Sequence, residues 1–255
     1  MAKGIDLSYH NGTVDFAKVK AQGYDFVILR IGYRGYGDGS LQKDKYFDTY
    51  YRNAKANGLQ VGGYFFSQAI DTIERKAEAD FCFAVLGNKV LDYPLAFDTE
   101  LSGSRGNVGR ADHLSKDLRT RIVKAFCDRV EQKNFYRCIY CSESWLKNNL
   151  DYTKLTKYDK WIAKWSIFKP TTAYGKYGLW QNSNNGKIDG VSSARTDTNI
   201  SYYDYPNIMR TKGLNNYGTP VKYSFVANGL TVEQADKFVK LCKELGVTDY
   251  KLNEV

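Results

Sequence analysis

Apolar runs of strand length take turns with amphipathic runs of helical period along most of this chain, and that alternation restricts its fold more than any other feature. Ile5–Leu7, Phe26–Ile31, Val61–Phe66, the run through Tyr93–Phe97, and Arg137–Tyr140 read as strands. Phe26-Val27-Ile28-Leu29-Arg30-Ile31 is apolar almost without a break, the mark of a strand covered on both faces. Between these runs the spacing predicts helices. A short one around Phe16 and Val19 stops near Gly23, and another through Tyr46, Tyr50 and Ala54 ends at Gly58. Asp71-Thr72-Ile73-Glu74 has capping-box spacing, which sets acceptors on the free amides of a helix start. That helix is expected to bury Ile73, Ala77, Phe81, Ala84 and Val85 and to close at Gly87. Leu114, Leu118, Ile122, Phe126 and Val130 mark a fourth helix. Trp161–Trp165 and Tyr177–Gln181 follow as strands with little helix between them. Alternation of this kind implies a mainly parallel sheet, and so many strands in so few residues fit a closed barrel better than an open sheet.

The fourth strand run ends in Asp98-Thr99-Glu100. Side chains alternate faces in a strand, so Ala96, Asp98 and Glu100 share one face while Leu95, Phe97 and Thr99 share the other. At a rise of about 3.3 Å per residue the two acids are anchored about 6.5 to 7 Å apart. Like charges held close raise the proton affinity of one member and leave the other ionised. Cleavage of a glycosidic bond uses that division: one acid protonates the leaving oxygen, and one anion stabilises a cationic sugar. In parallel barrels reacting residues sit at the carboxyl ends of strands, where Asp98, Glu100 and Asp6 all fall.

The 255 residues, 43% hydrophobic and 25% charged, suffice for one large domain with a small one attached. The net charge is +9, and beyond Gly213 five lysines face five acids, so the excess lies in the first 213 residues. Such a surface attracts a polyanion, nucleic acid or an anionic wall polymer; no basic run or nucleic-acid motif supports the former, and nucleic acid is not expected as a partner. The start of the chain carries no apolar leader, and no segment has membrane-spanning length. Five scattered cysteines point to free thiols made in a reducing cytosol rather than a disulfide framework. Cys138 and Cys141 form a single CxxC, and the only histidines are His10 and His113, so packing is the better reading than zinc. Neither a metal nor a cofactor is expected.

After Gly213 the character changes. Residues 213–220 read as a linker, Val221, Tyr223, Phe225 and Ala227 alternate as a strand, and Thr231-Val232-Glu233-Gln234 is a second capping box. The helix it opens turns Ala235, Phe238, Cys242 and Leu245 inward, and Tyr250 and Leu252 suggest a closing strand. The expected division is a barrel over 1–212, the linker, and a β-α-β module over 221–255. That module is too small to bury an adequate core alone, so it is expected to dock on the barrel or to self-associate.

Gly4-Ile5-Asp6-Leu7-Ser8 with Gly12 and Asp15-Phe16, then Phe26–Arg30, Gly62-Gly63-Tyr64, Phe97-Asp98-Thr99-Glu100, Trp161-Ile162-Ala163, Trp180-Gln181 and Asp197-Thr198-Asn199 resemble, in order, the signatures of glycoside hydrolase family 25. The match spans about residues 3 to 205. The resemblance implies an irregular TIM-like (β/α)5β3 barrel and hydrolysis of the β-1,4 bond between N-acetylmuramic acid and N-acetylglucosamine in bacterial peptidoglycan. It implies Glu100 as proton donor and then base, an ionised Asp98 steadying the substrate's acetamido group, and Asp6 as a further catalytic acid. Asp197, Tyr64, Trp165 and Arg30 would bind substrate. Phe65 stands where the family commonly has His and Trp165 where it often has Tyr, departures that bear on substrate fit. A lysozyme domain without a leader resembles a bacteriophage endolysin, made in the host cytoplasm and acting on the cell wall. A bacterial autolysin, a non-catalytic wall-binding module and a hydrolase of chitin-like polymers are the alternatives.

Overall fold

The computed structural model describes residues 1–102, 108–218 and 229–244. Its chain divides into two compact units, Met1–Pro220 and Val221–Val255.

The first unit is a barrel. Strands β1 (Ala2–Leu7), β2 (Phe26–Arg34), β4 (Gln60–Phe66), β5 (Leu95–Asp98), β6 (Arg137–Ser142), β7 (Asp159–Ala163), β8 (Leu179–Gly186) and β9 (Thr196–Ser201) form it, with β3 (Leu41–Lys43) added at the edge. The pairing order is β1-β9-β8-β7-β6-β5-β4-β2, and β1 also pairs with β2, which closes eight strands into a ring. Pairing is parallel from β1 through β2 and β4 to β8, whereas β9 runs antiparallel to both β8 and β1.

Helices α1 (Phe16–Ala21), α2 (Phe47–Ala56), α3 (Thr72–Leu86), α4 (Lys116–Gln132) and α5 (Glu143–Asn149) alternate with the first five parallel strands. The last three strands follow without such helices, and α6 (Tyr205–Lys212) ends the circuit. This is the (β/α)5β3 barrel expected from sequence.

Strand alternation sorts the side chains into two cores. Val27, Leu29, Ile31, Val61, Phe65, Leu95, Phe97, Ile139 and Ile162 point outward and pack under the helices with Phe47, Ala79, Cys82, Ile122 and Phe126. Phe26, Ile28, Tyr93, Ala96, Cys138, Tyr140, Trp161 and Leu179 point inward and fill the barrel. Cys138 and Cys141 therefore lie on opposite faces of β6, both buried. Filling the barrel needs close approach at Gly4, where a Cβ would meet the Phe26 ring at 2.3 Å.

Helix α3 departs from the sequence reading. Asp71 Oδ1 accepts from the amides of Ile73 and Glu74 at 2.8 Å, the N-cap half of the expected box, while Glu74 Oε2 accepts from the amide of Ile70 at 3.0 Å rather than from that of Asp71. Its buried stripe, however, is Arg75, Glu78, Ala79, Cys82 and Leu86, and Ile73 is 80% exposed. The stripe is rotated because Glu78 faces the barrel wall, where Arg34 and Ser67 meet its carboxylate at 2.8 and 2.7 Å. A buried, paired carboxylate gives no apolar signal in sequence.

Asn215, with φ 56°, sends its side-chain amide to the carbonyls of Leu91 and Tyr93 at 3.1 and 2.9 Å, so this part of the stretch read as a linker is held on the barrel. In the second unit the described element is α7 (Val232–Glu244). Its start is a reciprocal cap, with Thr231 N–H donating to Gln234 Oε1 at 2.9 Å and Gln234 N–H to Thr231 Oγ1 at 3.3 Å. Cys242 is buried and Ala235 and Phe238 half-buried on one face. The strands expected at 221–227 and 250–252, and Leu245, lie outside the described residues. Among the described residues no helix is long and apolar enough to cross a membrane.

Candidate active site

Four carboxyl groups converge at the mouth of the barrel. Asp6 near the end of β1, Asp98 at the end of β5, Glu100 just beyond it and Asp197 on β9 line one cleft, with Tyr64, Tyr140, Trp161 and Gln181 completing the wall. Two features of the chain bring them there. Parallel strands end at the same rim, which gathers Asp6 and Asp98, and β9 returns antiparallel so that Asp197 falls directly opposite Asp6. Strand β5 stops at Asp98, so Glu100 sits on the following loop rather than within the strand, yet both carboxyls still enter the same cleft.

Asp6 is the most tightly held. Its Oδ2 accepts from Gln181 Nε2 at 3.0 Å and from Asn199 Nδ2 at 2.8 Å. Asp98 is 3% exposed, and among the described residues its buried Oδ1 has no hydrogen-bonding partner. Glu100 is half-buried.

Taking charge out of water and setting it beside like charge both favour protonation. Burial, followed by repulsion from Asp197, raises Asp6 well above the usual carboxylate range. Burial and the Asp197 charge push Glu100 up to about 7, and burial lifts Asp197 to about 6. Burial also raises Asp98, with Glu100 adding to it and Arg30 drawing it back. Burial thus moves both members of the Asp98–Glu100 pair in the same direction, toward the protonated form, with Asp98 the deeper of the two.

Of the residues singled out from sequence, Asp6, Asp98, Glu100, Asp197 and Tyr64 are brought together. Tyr64 half-faces the cleft and meets Trp161 edge-on with ring centroids 6.0 Å apart. Arg30 does not line the wall. Its Nε donates to Asp44 Oδ2 at 2.9 Å, and its guanidinium lies over the rings of Tyr9 and Tyr33 at 4.8 and 5.0 Å. Trp165 is 58% exposed, and it reaches the site through its indole N–H, which donates to Gln181 Oε1 at 3.0 Å. Phe65 faces away from the cleft into the outer core, edge-on to Phe81, so its departure from the family pattern concerns packing and not substrate fit. Sequence reasoning gave no role to Tyr140, Trp161, Gln181 or Asn199, whose value depends on partners from other strands.

The profile of Glycosyl hydrolases family 25 matches residues 5–191. The chain belongs to glycosyl hydrolase family 25. Among curated relatives, the Autolytic lysozyme of Clostridium acetobutylicum is 28% identical over 193 residues, covering 75% of this chain and 53% of the relative. Lysozyme M1 of Streptomyces globisporus is 26% identical over 201 residues, 74% of this chain and 64% of that protein. The chain thus spans about half to two thirds of the length of these curated relatives. Among solved structures it is similar to the CTP1L endolysin, with a TM-score of 0.66, 26% identity and coverage of 84% of this chain and 70% of that one. The lysozyme of Streptomyces coelicolor aligns with a TM-score of 0.66 and 25% identity over 86% of this chain and 98% of its own.

Proposed function

We propose that this family 25 chain is a lysozyme that hydrolyses the β-1,4 bond between N-acetylmuramic acid and N-acetylglucosamine in bacterial peptidoglycan. One observation carries the proposal: Asp98 and a Glu100 poised near neutral pH share an open cleft with Asp6 and Asp197 at the carboxyl ends of barrel strands. A general acid works best when its proton affinity matches the working pH.

In this reading protonated Glu100 gives its proton to the leaving glycosidic oxygen as the C1–O bond breaks. The substrate's acetamido oxygen bonds to C1, and the Asp98 carboxylate steadies the positive charge that builds on that group, a substrate-assisted route. That charge, with Arg30, favours the ionised form of Asp98 just when it is needed. Glu100, now a base, takes a proton from water, whose oxygen bonds to C1 as the C1–acetamido oxygen bond breaks, and the product leaves with its acetamido group restored. Tyr64 and Trp165 flank the sugar, and Asp6, Asp197 and Arg30 set the charge balance around it.

The test is to incubate purified cell walls with the protein and to identify the soluble fragments by mass spectrometry. New reducing ends on N-acetylmuramic acid support the reading; wall binding with no new reducing ends would replace it with a glycan-binding module.

The lytic setting is read as endolysin-type action on the wall, with the likeness to the CTP1L endolysin in its support. The autolytic relative from C. acetobutylicum favours a second reading, a bacterial autolysin. A gene placed among phage structural genes decides for the first, and a deletion strain that fails to separate daughter cells decides for the second. The excess positive charge supports attraction to anionic wall polymers, and the 221–255 module is proposed to bind the wall or a second copy.

A further inference from the structure

An indole N–H can only donate, and this fixes two amides in the site. Trp161 Nε1 donates to Asn199 Oδ1 at 2.8 Å, which turns the Asn199 NH2 onto Asp6 Oδ2 at 2.8 Å. Trp165 Nε1 and the Tyr140 hydroxyl donate to Gln181 Oε1 at 3.0 and 2.9 Å, which turns the Gln181 NH2 onto the same oxygen at 3.0 Å. Swapping oxygen for nitrogen in either amide would set donor against donor. Asn199 and Gln181 are each 2% exposed, so neither can exchange these partners for water.

With Oδ2 occupied by two N–H groups, a proton on Asp6 belongs on Oδ1. Asp197, the direct cross-strand neighbour of Asp6 on β9, lies within hydrogen-bonding reach. We propose that Gln181 and Asn199 are positioning residues that anchor Asp6 by one oxygen, aim its proton at Asp197, and so make Asp197 the anionic member beside Glu100. The inference rests on the hydrolytic reading above and adds to it the residues that set the charge order. The other ionisable groups facing Asp6 are Asp98 at the end of β5, Glu100 on the loop after it, Tyr64 on β4 and Tyr140 on β6, with Arg30 on β2 acting through Asp98 and Tyr64.

Two variants of the full chain test this, Gln181→Met and Gln181→Glu. The methionine variant keeps the length and loses the donor, so kcat should fall on the order of tenfold at every pH while KM changes less than about twofold, the size expected for one lost hydrogen bond to a buried acid. In its acid form the carboxyl of Gln181→Glu still accepts from Trp165 and Tyr140 and still donates an O–H to Asp6. Its kcat should approach the native value in acid and fall as pH rises, adding an ionisation that the native profile lacks. Carboxyl 13C NMR gives a readout independent of turnover: the Asp197 midpoint should rise in Gln181→Met, because its directed hydrogen bond is lost. If Gln181→Met does not fold, the Gln181→Glu profile and its Asp197 midpoint above the new ionisation carry the same test. Unmoved Asp197 midpoints, or a Gln181→Glu profile that stays parallel to the native one, would overturn the proposal. Native protein that releases no reducing ends refutes hydrolysis instead, and the NMR result still decides the proton's place.

Discussion

Arg34 Nε donates to Glu78 Oε1 at 2.8 Å, an ion pair with both side chains buried between β2 and α3. The same guanidinium also bonds the carbonyls of Gly39 and Glu74, at 2.5 and 2.8 Å, and so ties the β2–β3 hairpin to the helix. Removing one partner of such a pair leaves an uncompensated buried charge. Glu78→Ala should cost about 3–5 kcal/mol, which calorimetry would register as a fall in Tm on the order of 10 °C for a domain of this size. A variant that melts within a degree or two of the native protein would show the pair to be dispensable.

Glu100→Gln should lower kcat about 100- to 10,000-fold, the span of general acid–base catalysis, while binding to walls persists. The same change should stabilise the fold at alkaline pH. A carboxyl raised from its unfolded value of 4.5 to about 7 binds more protons when folded, so it costs stability as pH climbs through that window and costs it fully above it. Denaturant melts at pH 5 and pH 8 check the sign: the gain from Glu100→Gln should be larger at pH 8.

In the proposed mechanism Glu100 acts with its proton on, so turnover should decline as pH rises through about 7. Asp197 contributes to that value by repulsion. Asp197→Asn removes the negative charge, makes Glu100 easier to ionise, and should move the alkaline limb of kcat/KM to lower pH. A limb that stays in place would show the two groups to be uncoupled.

Excess positive charge predicts that clearing of whole walls weakens as salt rises, since the Debye length shrinks from about 10 Å at 0.1 M to about 3 Å at 1 M. Cleavage of a short uncharged oligosaccharide should vary far less. Equal salt dependence on both substrates would assign the effect to the cleft rather than to the surface.

The pairing of Asp98 with Glu100 was legible because a period of two puts both on one face, and it survives even though the strand ends one residue after Phe97. The barrel was legible from its buried parallel strands. Other elements were not. Strand β3 is only three residues long, while α6 is marked in sequence by little more than the Asp204 cap and Pro206 in its first turn. The α3 stripe was misplaced because Arg75 and Glu78 carry charge into the core. Gln181 and Asn199 look like ordinary strand amides until β8 and β9 are seated beside β1, since each acquires its meaning from an indole on another element.

Strand β1 is paired on both sides, with β2 next in sequence and with β9 nearly two hundred residues away. The acid cluster accordingly has no existence in a partly made chain. A ribosome that has delivered Asp6, Asp98 and Glu100 has assembled three of the four acids but neither the amides nor the opposing carboxyl, all of which arrive with the final strands. The four acids therefore come together in a single step, when β9 seats against β1 and the ring of strands shuts.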